Sequence, residues 1–371
     1  MIATVFEVIE RNEHAHVRLA SLNNFRLREQ GQLPASDILE NPYITLYSLD
    51  FEHKQAVFVE MPTDVDLSQA PFVVTAQHEH AKRVWTISFE ALLMLAQAVD
   101  LDDSRLVSIY SVGRCGSTLA SQIFAQIPGV INISEPAVLS QLVVARNIET
   151  DPDDDLILLL EASIRLLCKT PAETVWVIKG QSFVIELADW LHKLYPQTRN
   201  LFLYRHAETW LRSGLRAFGQ GTAETDEESW QGDKKRREIL GPLVPSIAQY
   251  DPNQPLPHAG SLSLMWLRAM ERYVDHCHAG IEMLAIRYES WRSSPRQTAV
   301  AMLDYCHCRP ADMTAVYEAL NRDSQAASHL SRDTLGQRQR VLTDDELAEL
   351  HKHLQAHGFI HEADFEVPNT I

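Results

Sequence analysis

Cysteine is scarce and odd in number: Cys115, Cys168, Cys277, Cys306 and Cys308 are scattered through 371 residues. Such a set excludes a disulfide frame as the organising device and fits reduced thiols in a cytoplasmic protein. Basic side chains are also in deficit. Lys and Arg total 33 against 50 Asp and Glu, a formal net charge of −17. So acidic a chain repels nucleic acid and anionic membrane surfaces, and neither is expected as a partner. Any polyanionic ligand must then be held by a local basic cluster. No apolar run reaches the length of a membrane span. The opening stretch, MIATVFEVIERNEHAH, lacks the charged-then-apolar order of a secretory signal. There is no internal repeat and no low-complexity segment.

What the chain does have is ordinary globular material, 45% hydrophobic and 22% charged, enough for two or three domains or one large domain with an extension. Its organising stretch is SIYSVGRCGSTLA, from Ser108 to Ala120. Leu106 to Tyr110 reads as a buried strand. Ser111 to Gly116 is a tight glycine-containing loop. Thr118 to Ile127 carries Leu119, Ile123, Phe124 and Ile127 at helical spacing. Strand, glycine loop and helix make a phosphate cradle, in which amides at the helix start and the helix dipole face an anion. A nucleoside-triphosphate P-loop needs lysine before the Ser/Thr, and here that position is Gly116. The loop's basic residue is Arg114 instead.

Residues 1–100 read as an α+β extension of unknown role, and 101–371 as a domain of alternating strands and helices. In the extension, Tyr43 to Met61 predicts two strands with a turn at Glu52-His53-Lys54. Phe72 to Thr75 and Val84 to Ile87 are strand candidates, and Phe89 to Val99 is a helix candidate. The pairs His14/His16 and His78/His80 would each share a face on a strand, where exposed polar residues are the commoner reading than metal ligands. His276-Cys277-His278 and Cys306-His307-Cys308 lack closed zinc-site spacing, and no metal is expected.

In the second part, Val130 to Ile133, Thr174 to Ile178, Asn200 to Tyr204 and Met283 to Tyr288 are strand candidates. Ligands of parallel α/β sheets gather at strand carboxyl ends, which singles out Glu135, Lys179 and Arg205. Helices are expected at Ala137–Asn147, Leu156–Leu167, Ser182–Tyr195, Ala207–Phe218, Leu262–Cys277, Ser294–Tyr305 and Asp344–His357. The polar stretch 219–260 reads as a mobile lid insertion, with Lys234 to Arg237 on a solvated helix face.

The form G-R-x-G-S-T in the loop resembles the 5′-phosphosulfate loop of sulfotransferases that use 3′-phosphoadenosine 5′-phosphosulfate (PAPS). RHAETWLRS, with Arg205 and Ser213 eight positions apart, resembles that family's 3′-phosphate motif. IRYESWRSSP is similar to its R-Y-E-D-L…P segment, with Ser290 replacing aspartate. Ser134-Glu135-Pro136 is similar to an acidic element of the bacterial and tyrosylprotein-type branch. DSQAASHLSRDTLGQR resembles a cofactor-closing loop. The resemblance spans about residues 104–355.

It implies a P-loop-like α/β fold with a central parallel sheet flanked by helices, and transfer of a sulfuryl group from PAPS to an acceptor hydroxyl or amine. It implies that Arg114, Cys115, Gly116, Ser117 and Thr118 hold the phosphosulfate, and that Arg205 and Ser213 hold the 3′-phosphate. Tyr288 would lie along the nucleoside, and Arg332 would close over it. Glu135 would be the general base, with Arg114 and Lys179 stabilising the transferring group. A P-loop nucleotide kinase or hydrolase, and a non-catalytic sulfotransferase-like binding protein, are the alternatives. The acceptor's class and the oligomeric state have no counterpart in the pattern.

Overall fold

A computed structural model describes residues 1–12, 20–148, 154–169, 174–218, 226–326, 331 and 340–371, with only the backbone at 226–231. Two compact units divide the chain. One holds Met1–Val107, Pro128–Lys179 and Trp190–Thr198, and the other holds Ser108–Ile127, Gly180–Asp189 and Arg199–Ile371.

Among the described residues ten strands form two five-stranded sheets. β1 (Ile2–Arg11), β2 (Phe25–Pro34), β3 (Ile44–Asp50), β4 (Gln55–Glu60) and β5 (Arg83–Ser88) form an antiparallel sheet in the order β2-β1-β5-β4-β3. β6 (Leu106–Ser111), β7 (Val130–Ser134), β8 (Val175–Lys179), β9 (Arg199–Tyr204) and β10 (Met283–Arg287) form a sheet in the order β10-β9-β6-β8-β7. Its β7–β8 and β9–β10 pairs run parallel, and helices connect the strands. The architecture is therefore α/β around a parallel sheet, with a second, antiparallel sheet from the N-terminal residues.

In the first unit Tyr47, Val57, Val59, Val74 and Val84 bury together beneath the antiparallel sheet. Gln141, on the helix Ala137–Ile148, serves β3 as a strand neighbour would. Its Oε1 accepts from the Leu49 amide at 2.9 Å, and its Nε2 donates to the Leu49 carbonyl at 3.0 Å. A half-buried amide with both ends satisfied fixes where that helix lies on the sheet edge.

In the second unit Phe202 stacks on Tyr273 with ring centroids 4.4 Å apart, and the Trp266 indole donates to the Arg205 carbonyl at 3.0 Å. Tyr273 and Trp266 come from the long helix His258–His278. Arg268 and Arg272 of that helix converge on the buried carboxylate of Glu186. The chain's last residues run beside β10. Ala285 donates to Asn369 and accepts from Ile371, each at 3.0 Å.

Most sequence expectations hold within a residue or two. Phe72 to Thr75 is not a strand. Val73–His80 is a helix whose Val73, Val74, Gln77 and His78 form its buried face. The β-branched run suggested period two, but the buried positions follow the helical period. His78 and His80 therefore do not share a face. His78 is buried, with Nε2 3.3 Å from the Asn24 carbonyl, and His80 is exposed. His14 and His16 lie outside the described residues. No cluster of three or more metal-type side chains occurs among the described residues.

β1 and β2 had no clear signal in the sequence. Register shifts at Val5/Phe6 and Val8/Glu10 break the alternation of β1, and β2 is mostly exposed and polar. Ser182–Tyr195 begins as a 3₁₀ turn, Ser182–Leu187, and becomes α-helical only at Ala188–Leu194. Within 219–260 the described residues include the helices Asp226–Leu240 and Pro245–Ala248. Lys234 and Lys235 there are exposed, whereas Arg237 is tied to Asp233 at 3.1 Å. No helix among the described residues is long and apolar enough to cross a membrane.

Candidate functional site

The second unit contains the loop after β6. β6 is buried throughout, and it ends in a turn where Gly113, Arg114 and Gly116 all take positive φ, of 75°, 50° and 88°. Glycine does this at little cost; arginine does not, at roughly 1–3 kcal/mol. The carbonyls of the turn are held from behind. The Trp210 indole donates to Val112 at 3.0 Å and to Gly113 at 2.7 Å, and Arg205 donates to the Arg114 carbonyl at 3.3 Å. Cys115 is fully buried, its thiol donating to the Leu203 carbonyl at 3.1 Å, so only its backbone can face a ligand.

With the carbonyls turned inward, the amide side of the turn leads into the helix Ser117–Phe124. Gly116 is its N-cap and supplies no side-chain cap. The first amides of a helix have no intrahelical acceptor, so this end presents unsatisfied N–H groups and the positive end of the dipole.

Two arginines flank it. Arg114 Nε reaches Ser213 Oγ at 3.4 Å, and its Nη1 donates to Gln325 Oε1 at 2.9 Å. Arg205 Nε donates to Thr209 Oγ1 at 2.9 Å, and its guanidinium lies 4.2 Å from the centroid of the Tyr288 ring. Among the described residues, every hydrogen bond from these two guanidinium groups goes to a neutral acceptor. Burial lowers the affinity of both for their protons. Arg205 and Arg216 lower that of Arg114 further, while Tyr288 and Glu289 partly offset the effect at Arg205. Crowded positive charge without a bonded carboxylate is a place where an anion would lower the free energy. The structure thus brings Arg114, Arg205, Ser213 and Tyr288 together beside Gly116, Ser117 and Thr118.

Glu135 and Lys179 form a cluster in the first unit. Glu135 follows β7, and Lys179 ends β8. The Glu135 amide donates to the Lys179 carbonyl at 2.7 Å, and the Lys179 ammonium donates to the Glu135 carboxylate. Lys179 is 2% exposed and has the Phe72 ring 5.6 Å from its nitrogen, whereas the Glu135 side chain is 19% exposed. The ion pair is thus rooted in the core and opens on its carboxylate side.

Glu135 also holds a positive φ, of 59°. The non-glycine residues with positive φ among those described are Lys54, Arg114, Glu135, His307 and Asn369. Lys54 belongs to the β3–β4 turn and Asn369 is a residue type that tolerates the region. Arg114 and Glu135 both hold positive φ in the two candidate clusters, and strain of this kind collects at functional sites.

Arg332 lies outside the described residues. Sequence reasoning missed Trp210, Thr209 and Gln325, which hold the loop carbonyls and the two arginines. It also missed Trp291, on the helix Tyr288–Ser293, which touches Gly116: a Cβ at Gly116 would lie 3.3 Å from Trp291 Cδ1 and 3.4 Å from Tyr288 Cδ2. The available signal was spacing. Tyr288 and Trp291 are three residues apart and share a helix face.

No protein-family model matches the chain, and no curated protein sequence matches it. Among solved structures the chain is similar to a sulfotransferase from Alicyclobacillus acidocaldarius, at 13% identity and a TM-score of 0.39, over 67% of this chain and 90% of that one. It is similar to a sulfotransferase from Mycobacterium tuberculosis at 13% identity and a TM-score of 0.39, over 61% and 72%. It is also similar to the sulfotransferase domain of a Synechococcus olefin synthase, at 12% identity and a TM-score of 0.34, over 71% and 96%.

Proposed function

We propose that the protein is a sulfotransferase that moves a sulfuryl group from PAPS to an acceptor hydroxyl or amine. One observation carries the reading. A loop with three left-handed residues ends at an uncapped helix start, and two half-buried arginines beside it bond, among the described residues, only to neutral acceptors. That arrangement fits a ligand with several negative charges and a 3′-phosphate, against the chain's acidic balance.

PAPS supplies the activated sulfuryl group. In this reading the amides of Gly116, Ser117 and Thr118 and the Arg114 guanidinium hold the 5′-phosphosulfate. Arg205 and Ser213 hold the 3′-phosphate, and Tyr288 lines the nucleoside. Glu135 accepts the proton of the acceptor as the new S–O or S–N bond forms and the S–O bond to the 5′-phosphate breaks. Lys179 and Arg114 neutralise charge on the departing bridging oxygen. Positioning and electrostatics do most of the catalysis, as in phosphoryl transfer.

The test is ligand selectivity. Arg205→Ala should weaken 3′-phosphoadenosine 5′-phosphate (PAP) far more than adenosine 5′-phosphate (AMP), measured by calorimetric titration. Equal loss for both nucleotides would refute the 3′-phosphate assignment.

A further inference from the structure

Trp291 is 4% exposed, and its indole nitrogen is buried with no hydrogen-bond partner among the described residues. An indole N–H is a donor only, and buried donors are normally satisfied. The ring is not remote from chemistry. Its Cδ1–Nε1 edge faces the turn: the Cβ position of Gly116 lies 3.3 Å from Cδ1 and 3.7 Å from Nε1. Gly116 is the left-handed N-cap of the eight-residue helix Ser117–Phe124. An unsatisfied side-chain donor therefore meets an unsatisfied backbone cradle at one residue.

Resting on the reading above, we propose that Trp291 is a ligand-binding residue whose indole N–H donates to an oxygen of the anion seated at the start of the helix Ser117–Phe124. In the donor this anion is the 5′-phosphosulfate, and in PAP and AMP it is the 5′-phosphate. Three features support the assignment. The N–H finds no acceptor among the described residues, so they gain nothing from it in the ligand-free fold. The helix Tyr288–Ser293 carries Tyr288 on the same face, 3.4 Å from the Gly116 Cβ position, so one short helix fixes both rings against the loop. A bulkier residue at 116 would push that polar edge away, which gives glycine there a second reason beyond its φ.

Trp291→Phe removes the donor and keeps an aromatic ring. PAP and AMP affinities, measured by calorimetry, should each fall by about ten- to a hundredfold, the worth of a hydrogen bond to a charged acceptor. The two should fall equally, because both carry the 5′-phosphate. The thermal midpoint of the ligand-free variant should stay within a few degrees of the parent, while the rise on adding PAP shrinks. Unchanged PAP affinity would overturn the proposal, as would loss confined to PAP, which would move the contact to the 3′-phosphate. A variant that no longer folds would also overturn it, by giving the indole a role in the ligand-free protein. Failure of the parent protein to bind PAP at all would instead refute the sulfotransferase reading.

Discussion

Gly116→Ala, with Gly280→Ala as its control, separates backbone strain from steric contact in the loop after β6. Both glycines belong to the same unit and are left-handed, at φ +88° and +86°. Alanine in that region costs about 1–2 kcal/mol, and stiffening of the unfolded chain returns about 0.4–1 kcal/mol. A Cβ at Gly280 meets nothing within 4 Å, so its replacement should cost about 1 kcal/mol. At Gly116 the new carbon would press on Trp291 at 3.3 Å and Tyr288 at 3.4 Å. Both rings sit on one short helix and must move together, which adds about 1–3 kcal/mol of overpacking. Urea unfolding followed by tryptophan fluorescence reads the difference. Gly116→Ala should be the less stable variant by that margin, and should also lose PAP affinity. Equal destabilisation of the two variants would refute the claim that the rings are fixed against the loop.

Other outcomes follow from the same structure. Glu135→Gln should lower turnover by about 10²–10⁴ while leaving PAP affinity intact, and an unaffected rate would eliminate Glu135 as the base. Lys179→Met leaves the Glu135 carboxylate partly open to solvent, whereas Glu135→Gln strands a buried ammonium. Of the two, Glu135→Gln should therefore cost more stability in urea, and the reverse order would contradict the picture of a pair rooted at its lysine. Burial, aided by nearby arginines, lowers His258 and His276 to about 4, so both are neutral in the fold. Because the unfolded chain takes up protons first, stability should fall as pH drops from about 6.5 toward 4. Glu271, lowered to about 2 by hydrogen bonds from His357 and then Arg268, extends the loss below pH 4.5. A urea midpoint that stays flat between pH 6.5 and 4 would contradict the buried, neutral histidines.

The glycine loop after β6 was legible because its sequence signal is local. Gly113, Arg114, Gly116 and the helix that follows lie within a dozen residues, and the backbone there follows from the glycines. The strand ends at Glu135, Lys179 and Arg205 were also legible, because buried apolar runs stop where polar residues begin. What sequence could not supply was the side-chain wiring. That Trp210 holds the loop carbonyls, or that Gln325 meets Arg114, depends on contacts across roughly 100 and 211 positions. The N-terminal sheet failed for another reason. Two bulges in β1 and the exposed, charged face of β2 erase the period-two pattern that identifies a strand. Val73–His80 shows the opposite error, a β-branched start that tertiary burial turned into a helix.

The most direct test of the account is calorimetric titration of the protein with PAP, with ATP and magnesium as the comparison. The account predicts tight, saturable PAP binding that Arg205→Ala removes, and weak binding of ATP. Binding of ATP with magnesium and none of PAP would contradict it and place the protein among the nucleoside-triphosphate enzymes.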